Sequence, residues 1–310
     1  MINVLFSAKP EVWADYHISL KKAFSDAGID VTLSTNHTPN TVDYIVFTPN
    51  GPVTDFTPYV KTKGILSLWA GVETVVDNMT LTQPLIRMVD DSLTAGMVEW
   101  VVGHVMRYHL GMDAHIEGQD GLWRDTTYPP LARSRPVTIL GLGTLGTACG
   151  QALTKLGFPV TGWSRNQKSV NLIRCLHGAD GLRHALENAQ VVILLLPDTP
   201  ATENTLDADA LELLARGAFV INPGRGPLID DDALLGALNS GQITHATLDV
   251  FRTEPLPVDH PYWGHASVTV TPHIASTTRP ETASTIIATN IKQHLDGGQF
   301  KNLVDRTAGY

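Results

Sequence analysis

The feature that most constrains the fold is a glycine-rich turn between a short apolar run and a helical segment. Residues 137–140, "VTIL", are typical of a buried parallel strand. Gly141, Gly143 and Gly146 follow in a GxGxxG pattern, and a helical segment opens at Thr144. Strand, turn and helix in this order predict a dinucleotide-binding βαβ unit. A purely structural strand–turn–helix is the alternative, and the repeated strand–helix alternation that follows in the sequence favours the binding unit.

Each glycine has a physical reason in such a unit. Gly141 permits a tight turn, Gly143 lets the backbone approach a phosphate, and Gly146 lets the helix pack on the strand. The N–H groups of Thr144 and Leu145 open the helix and face the anion, with the helix dipole behind them. The sequence therefore predicts a pyrophosphate site at this turn.

Short apolar runs alternate with helical segments along most of the chain, which predicts an α/β fold with parallel sheets. A long apolar helix is predicted over residues 93–111, and residues 112–136 are expected to form an extended connection. Residues 274–298 read as a helix that returns to the first unit.

We predict two doubly wound parallel-sheet domains, the larger a Rossmann-type dinucleotide-binding domain inserted in the other. The substrate domain is predicted from residues 1–93 plus 276–310, and the NADP-binding domain from residues 94–275.

The second strand of the nucleotide-binding unit ends in "TGWSRNQK", where NAD-binding units carry an acidic residue for the ribose. Here Ser164 offers a hydroxyl, Arg165 a planar guanidinium and Lys168 a further cation. An arginine fork donates parallel hydrogen bonds to phosphate, whereas a carboxylate would repel it. These residues predict NADP as the cofactor. The alternative is a solvated basic turn with NAD bound.

Three charged residues follow late strands of the same unit. Arg225 lies in "VINPGRGPLID", Glu254 in "LDVFRTEPLP" and His273 in "VTPHIAS". The carboxyl ends of parallel strands meet beside the cofactor crevice. Reduction of a carbonyl needs a proton donor, which an imidazolium supplies when a carboxylate raises its pKa. An arginine binds a substrate carboxylate and polarises the carbonyl oxygen. Each residue alone has an ordinary structural interpretation, and the three together predict catalysis.

Composition excludes several classes of protein. A net charge of −9 argues against a general nucleic-acid binder. No apolar run reaches the length of a membrane span, and the first residues lack a signal-peptide pattern. Cys149 and Cys175 have no metal or disulfide spacing, so we expect no metal and a reducing, cytoplasmic compartment.

These motifs resemble the D-2-hydroxyacid dehydrogenase family, and most closely its glyoxylate/hydroxypyruvate reductase A branch. The resemblance rests on "GLGTLG", "LLLPDTPAT", "INPGRGPLIDDDALLGAL", "LDVFRTEPLP", "HPYWGHASVTVTPHIAS" and "VDRTAGY". It implies that the substrate carboxylate is held at the Trp69–Ala70–Gly71 segment by backbone N–H groups of Ala70 and Gly71. It also implies cofactor contacts at Pro197, Thr202, Asn222, Pro223, Asp249 and Ala275.

The chain departs from the branch at two positions that could line the substrate pocket. Phe47 stands where the branch often has tryptophan, and Trp69 where it often has glycine or serine.

We therefore predict NADPH-dependent reduction of small 2-oxo acids, glyoxylate and hydroxypyruvate, with His273 as proton donor. The resemblance and the apolar helix over 93–111 predict a homodimer, with no nucleic-acid or membrane partner. One alternative is an NAD-dependent dehydrogenase of a bulkier 2-hydroxy acid. Another is a non-catalytic, dinucleotide-sensing protein, against which the intact Arg–Glu–His set argues.

Overall fold

A computed structural model describes residues 1–123, 125 and 128–306. The final residues of the "VDRTAGY" motif, 307–310, lie outside the described part. The strands, in chain order, are β1 (Ile2–Ser7), β2 (Val31–Ser34), β3 (Tyr44–Phe47), β4 (Gly64–Ser67), β5 (Leu85–Ile86), β6 (Val137–Leu140), β7 (Val160–Ser164), β8 (Arg174–His177), β9 (Val191–Leu194), β10 (Ala218–Asn222), β11 (Ile243–Leu248) and β12 (Val268–Val270). The helices are α1 (Pro10–Asp26), α2 (Asp91–Leu110), α3 (Met112–Glu117), α4 (Thr144–Lys155), α5 (Gly178–Leu186), α6 (Ala208–Glu212), α7 (Asp231–Asn239) and α8 (Pro280–Leu295).

These elements form two compact α/β units. Residues 1–93 and 277–310 form the smaller unit, and residues 94–276 form the larger one. Both sheets are parallel throughout the described residues. The predicted fold class, two parallel-sheet α/β domains with the larger inserted in the smaller, is confirmed.

The smaller unit has five strands in the order β2-β1-β3-β4-β5. Side chains on one face of the sheet pack against α1 and α8, which include the buried Leu20 and Ile287. The opposite face packs against the connection between β3 and β5, with Phe56 and Val75 in its core. Adjacent strand residues alternate between these two clusters, as the period of two along a strand requires.

The larger unit has seven strands in the order β12-β11-β10-β9-β6-β7-β8. One face packs against α2 and α4, and the other against α5, α6 and α7. The central strands β6 and β9 are buried along their whole length because helices cover both faces. The strand order reverses direction between β6 and β9, which is the point where doubly wound sheets bind ligands.

The structure differs from the expected extended connection over residues 112–136. Gly111, with φ +62°, ends α2, and the chain then forms the short helix α3. A left-handed glycine commonly ends a helix, and it lets the next helix start in a new direction. The extended interpretation of this segment was therefore wrong for Met112–Glu117.

The last helix begins later than its sequence pattern indicates. Residues 274–279 are not helical, and α8 starts at Pro280, whose fixed φ suits the first helical position. The loop that precedes Pro280 carries part of the candidate site.

Candidate active site

The glycine-rich turn has the close approaches that its sequence predicts. Gly141 has φ +109°, and a Cβ atom there would lie 2.4 Å from the carbonyl oxygen of Leu195. A Cβ on Gly146 would lie 1.8 Å from the carbonyl oxygen of Gly141, so the helix packs directly on the turn. A Cβ on Gly143 would meet no atom within 4 Å, which leaves open space at the centre of the turn.

Helix α4 offers hydrogen-bond donors at this open space. Its first backbone hydrogen bond runs from Thr147 N to Gly143 O, at 3.0 Å. The N–H groups of Thr144, Leu145 and Gly146 therefore have no acceptor within the helix. Donors at a helix N-terminus beside an open glycine fit a pyrophosphate group, so this turn is suited to a dinucleotide.

The basic segment lies beside the same turn. Gly141 N donates to Trp163 O at 2.8 Å, which places the end of β7 next to the end of β6. Ser164 is buried and its Oγ donates to Asn166 O at 2.8 Å, whereas Arg165 is exposed. Lys168 Nζ donates to Leu142 O at 2.5 Å and so brings its charge onto the glycine-rich turn itself.

The loop after β10 carries Arg225 and is shaped by Asn222. The Asn222 side chain is 1% exposed, its Nδ2 donates to Arg225 O at 2.9 Å, and its Oδ1 accepts from Gly224 N at 3.1 Å. A Cβ on Gly226 would lie 2.0 Å from the carbonyl carbon of Phe251. The Arg225 loop therefore packs at Gly226 directly against the backbone of Phe251, in the segment that follows β11.

His273 and Glu254 form the central pair of the site. His273 Nδ1 lies 2.7 Å from Glu254 Oε2, and Glu254 Oε1 accepts from Phe251 N at 2.9 Å. His273 has φ +55°, an uncommon conformation for a residue other than glycine, and its N–H donates to Asp249 O at 2.8 Å. The pair leaves Nε2 of His273 as the ring nitrogen directed away from Glu254.

Asp249 holds the turn on which His273 lies. Its carboxylate is 1% exposed and accepts from Thr271 Oγ1 at 2.6 Å, Ile274 N at 2.9 Å and Ala275 N at 2.8 Å. A buried carboxylate with three donors fixes the backbone on both sides of His273. The sequence predicts a cofactor contact for Asp249, and the structure adds this support of the turn.

The electrostatics of the pair favour a charged imidazole. The hydrogen bond to Glu254 raises the pKa of His273, although partial burial and the Arg225 charge act in the opposite direction. Partial burial alone would raise the pKa of Glu254, but hydrogen bonds from His273 and Phe251 N hold it below its ordinary value. Arg225 also lowers the pKa of Glu254, so its guanidinium lies close enough to act on both partners.

The predicted carboxylate-binding segment lies in the smaller unit, directly after β4. Trp69 N donates to Ser67 Oγ at 3.0 Å, and Trp69 O accepts from Met88 N at 3.0 Å, so both ends of this residue are fixed. The N–H groups of Ala70 and Gly71 donate to no residue that the structure describes. Trp69 is 40% exposed.

The remaining predicted residues have mainly local contacts. Thr202 Oγ1 donates to Pro197 O at 2.7 Å and accepts from Thr199 N at 3.0 Å, so it closes the turn after β9. Pro223 and Ala275 are buried. Phe47 is 1% exposed and packs in the core against Phe56, with ring centroids 5.5 Å apart.

One supporting residue was missed at the level of sequence. Gly226, in "GRG", has a role that only its contact with the segment after β11 reveals.

The doubly wound sheet, the pyrophosphate-suited turn and the imidazole–carboxylate pair at strand ends are features of a dinucleotide-dependent dehydrogenase. The model of the D-isomer specific 2-hydroxyacid dehydrogenase NAD-binding domain matches residues 102–275. The chain belongs to this family.

Curated relatives and solved structures agree with the family assignment. The chain is 37% identical over 259 residues to a glyoxylate/hydroxypyruvate reductase A of Yersinia enterocolitica, covering 81% of this chain and 82% of that protein. A D-isomer specific 2-hydroxyacid dehydrogenase of Xanthobacter autotrophicus, solved with NADPH and MES, superimposes with a TM-score of 0.92. It is 35% identical, over 100% of this chain and 99% of that one.

A second structure is that of the NADPH-dependent glyoxylate/hydroxypyruvate reductase of Sinorhizobium meliloti, in complex with NADP and sulfate. Its TM-score is 0.88 at 30% identity, with 100% of both chains covered.

The close packing of Gly226 generates a prediction. Gly226→Ala forces the Arg225 loop away from Phe251 and lowers the free energy of unfolding by about 1–3 kcal/mol, the usual cost of overpacking. The free energy of unfolding is measured by urea titration, with circular dichroism as the signal.

Gly236→Ala is the matched control. Gly236 lies in α7, where a Cβ meets no atom within 4 Å. Alanine there is expected to stabilise the protein by about 0.5–1 kcal/mol, because glycine is a poorer helix former. Equal effects of the two substitutions would contradict the packing described for the Arg225 loop.

Proposed function

We propose that the protein is an NADPH-dependent reductase of small 2-oxo acids, such as glyoxylate and hydroxypyruvate, giving 2-hydroxy acids. The observation that carries the proposal is the His273–Glu254 pair, 2.7 Å apart, at the same sheet edge as the glycine-rich turn and its basic neighbours. Relatives that share most of the length of the chain are glyoxylate/hydroxypyruvate reductases, which supports this choice of substrate class.

The preference for NADPH rests on the residues after β7. Position 164 is a serine, position 165 an exposed arginine, and neither carries the negative charge that would repel a 2′-phosphate. Lys168, on Leu142 O, adds positive charge beside the turn. Solved relatives bound to NADPH or NADP support the same preference.

The protein residues divide the chemistry between them. NADPH, held at the glycine-rich turn and the basic segment after β7, would supply the hydride for carbonyl reduction. His273, held as imidazolium by Glu254, donates its Nε2 proton to the carbonyl oxygen as charge develops there. Arg225 polarises that oxygen and is a candidate partner of a substrate carboxylate. In the smaller unit, the N–H groups of Ala70 and Gly71 are candidate donors to a substrate carboxylate.

Trp69 is the residue that we propose to limit substrate size. It directly precedes Ala70, and the residue is 40% exposed. A bulky side chain beside the carboxylate-binding amides leaves room for a short 2-oxo acid and excludes a long one. Phe47 is buried in the core, so we do not propose it as a substrate contact.

Steady-state kinetics over several 2-oxo acids, with NADPH and NADH in parallel, test the function. We expect the highest kcat/KM with glyoxylate or hydroxypyruvate and NADPH. Arg165→Ala is expected to raise the KM for NADPH by about 10- to 100-fold, since a charge-assisted contact to the 2′-phosphate is lost. The KM for NADH should be unchanged, because NADH lacks this phosphate.

Arg183→Ala is a matched control for this experiment. Arg183 lies on α5 and its nearest acidic group is Glu187, so its loss should leave both KM values as they are. An equal effect of Arg165→Ala on NADPH and NADH would contradict the phosphate contact, and no turnover with any 2-oxo acid would contradict the function.

We further propose a homodimer in the cytoplasm. Exposed apolar side chains concentrate in the segment between α2 and β6, among them Ile116 at 69%, Trp123 at 91% and Tyr128 at 83%. Such a concentration of exposed apolar surface is typical of an interface.

Two free cysteines support a reducing compartment. No helix within the described residues is long and apolar enough to cross a bilayer.

The dimer has its own test. Sedimentation equilibrium is expected to give twice the chain mass of 33.6 kDa, and Ile116→Asp together with Trp123→Asp should shift the equilibrium toward single chains. Val258→Asp, at a position 96% exposed outside this segment, serves as control. A wild-type protein that sediments as a single chain would contradict the proposal.

A further inference from the structure

Arg252 is an arginine of the larger unit that contacts three successive loops at the carboxyl edge of the sheet. It lies two residues before Glu254, in the loop that follows β11. Strands β9, β10 and β11 are neighbours in the sheet, so the loops that follow them lie side by side. The Arg252 side chain is 33% exposed and reaches from its own loop onto the other two.

The guanidinium of Arg252 binds carbonyl groups of the loop that carries Arg225. Its Nη2 donates to Ile229 O at 2.6 Å, and more weakly to Pro227 O at 3.4 Å. Pro227 lies within the 3-10 turn that begins at Gly226, and Ile229 directly follows this turn. A Cβ on Gly226 would lie 2.3 Å from Arg252 N, so the backbone of Arg252 packs against the same turn. Arg252 therefore holds the Arg225 loop through both its backbone and its side chain.

The same guanidinium also binds the loop after β9 and the start of α7. Its Nη2 donates to Asn204 Oδ1, and its Nη1 donates to Glu203 Oε1 at 3.4 Å. The Nε of Arg252 lies 3.6 Å from Asp231 Oδ2, while Asp231 Oδ1 accepts from the Tyr262 hydroxyl at 2.8 Å. Arginine suits this position because its planar group offers five donors to several acceptors at once.

The position of the Arg225 guanidinium depends on the backbone of its loop. Its Nη1 donates to the adjacent Gly224 O at 2.6 Å. Before the turn, Asn222 Nδ2 donates to Arg225 O at 2.9 Å, and after the turn Arg252 binds Ile229 O. A displacement of the turn would therefore displace the Arg225 guanidinium as well.

We propose that Arg252 is a positioning residue, which sets the place of the Arg225 guanidinium relative to the His273–Glu254 pair. This inference rests on the proposed function and deepens it, because Arg225 is proposed to polarise the carbonyl oxygen of the substrate. All of these residues lie in the larger unit. Arg252 acts through Arg225, and its own guanidinium is occupied by the protein contacts described above.

A double-mutant cycle tests whether Arg252 acts through Arg225. Arg252→Met keeps much of the apolar stem and removes the donors. We expect kcat/KM for glyoxylate with NADPH to fall by about 10- to 100-fold, the effect of losing hydrogen bonds that involve a charged group. In an Arg225→Ala background, the same substitution should change kcat/KM by less than about twofold, because the group that it positions is already absent. An equal fall in both backgrounds would overturn the proposal.

The pH profile gives a second readout, which a general loss of stability would not move. The hydrogen bond to Glu254 raises the pKa of His273, and the charge of Arg225 acts in the opposite direction. When Arg252→Met withdraws the Arg225 guanidinium, the pKa of His273 should rise further. The alkaline limb of kcat/KM should then move to higher pH, because His273 keeps its proton longer. An alkaline limb at the wild-type pH would contradict the displacement of Arg225.

Arg216→Met is the matched control. Arg216 belongs to the same unit and its Nη2 also donates to a backbone carbonyl, Ser240 O, at 3.1 Å. It precedes β10 and so lies at the opposite edge of the parallel sheet. Its loss should leave kcat/KM and the pH profile unchanged. Arg252→Lys keeps the charge without the fork, should give intermediate values, and carries the test if Arg252→Met does not fold.

Hydrogen–deuterium exchange separates this inference from the proposed function, since it needs no turnover. Leu228 N and Ile229 N donate to Arg225 O and Gly226 O within the turn. Arg252→Met should speed exchange in residues 224–229 by about 10-fold or more, because the turn opens more often. Unchanged exchange there, in a folded variant, would overturn the role of Arg252 alone. A wild-type protein inactive with every 2-oxo acid would instead overturn the proposed function.

Discussion

The account of this protein depends on one hydrogen bond, between Nδ1 of His273 and Oε2 of Glu254, at 2.7 Å. The bond joins two loops that leave neighbouring parallel strands, β11 and β12. It fixes the orientation of the ring, leaves Nε2 on the side away from Glu254 and raises the pKa of the imidazole. Asp249 stabilises the turn that carries His273, because its buried carboxylate accepts hydrogen bonds from the backbone N–H groups of Ile274 and Ala275. The unusual φ of His273, +55°, is therefore maintained by hydrogen bonds to Asp249 rather than by local preference.

A second constraint is that a protein with a net charge of −9 must bind anionic ligands. Local groups of hydrogen-bond donors therefore have to attract these anions. The chain concentrates donors where phosphate and carboxylate are expected: the start of α4, the basic segment after β7, and the amides after β4. Backbone N–H groups at a helix start can bind an anion without a cationic side chain. Glycine lets the start of α4 pack on the turn, as at Gly146, where a Cβ would lie 1.8 Å from Gly141 O.

Much of the fold was predictable from the sequence, because it is expressed in local patterns. The buried strand before Gly141, the helix after it and the charged residues past late strands all follow from periodicity and turn residues. Strands β2, β5 and β8 were not predicted: β5 has only two residues, and β2 and β8 lack the run of buried apolar residues that marks the central strands. Helix α3 was missed because a single left-handed glycine, Gly111, separates it from α2.

The candidate site was predictable only in part. Arg225, Glu254 and His273 lie in distinctive motifs, but their mutual distances depend on contacts between loops far apart in the chain. The support that Asp249 gives to residues 274–275 involves partners 25 and 26 positions away, which no local pattern encodes.

The most direct test of the central claim is the pH dependence of kcat/KM for glyoxylate reduction, in the wild type and in Glu254→Gln. Because Glu254 raises the pKa of His273, the wild type should keep its proton donor above the ordinary histidine pKa and lose activity as pH rises through the raised value. Without the carboxylate, the alkaline limb of the profile should move to lower pH. An alkaline limb at the same pH in both proteins would contradict the account.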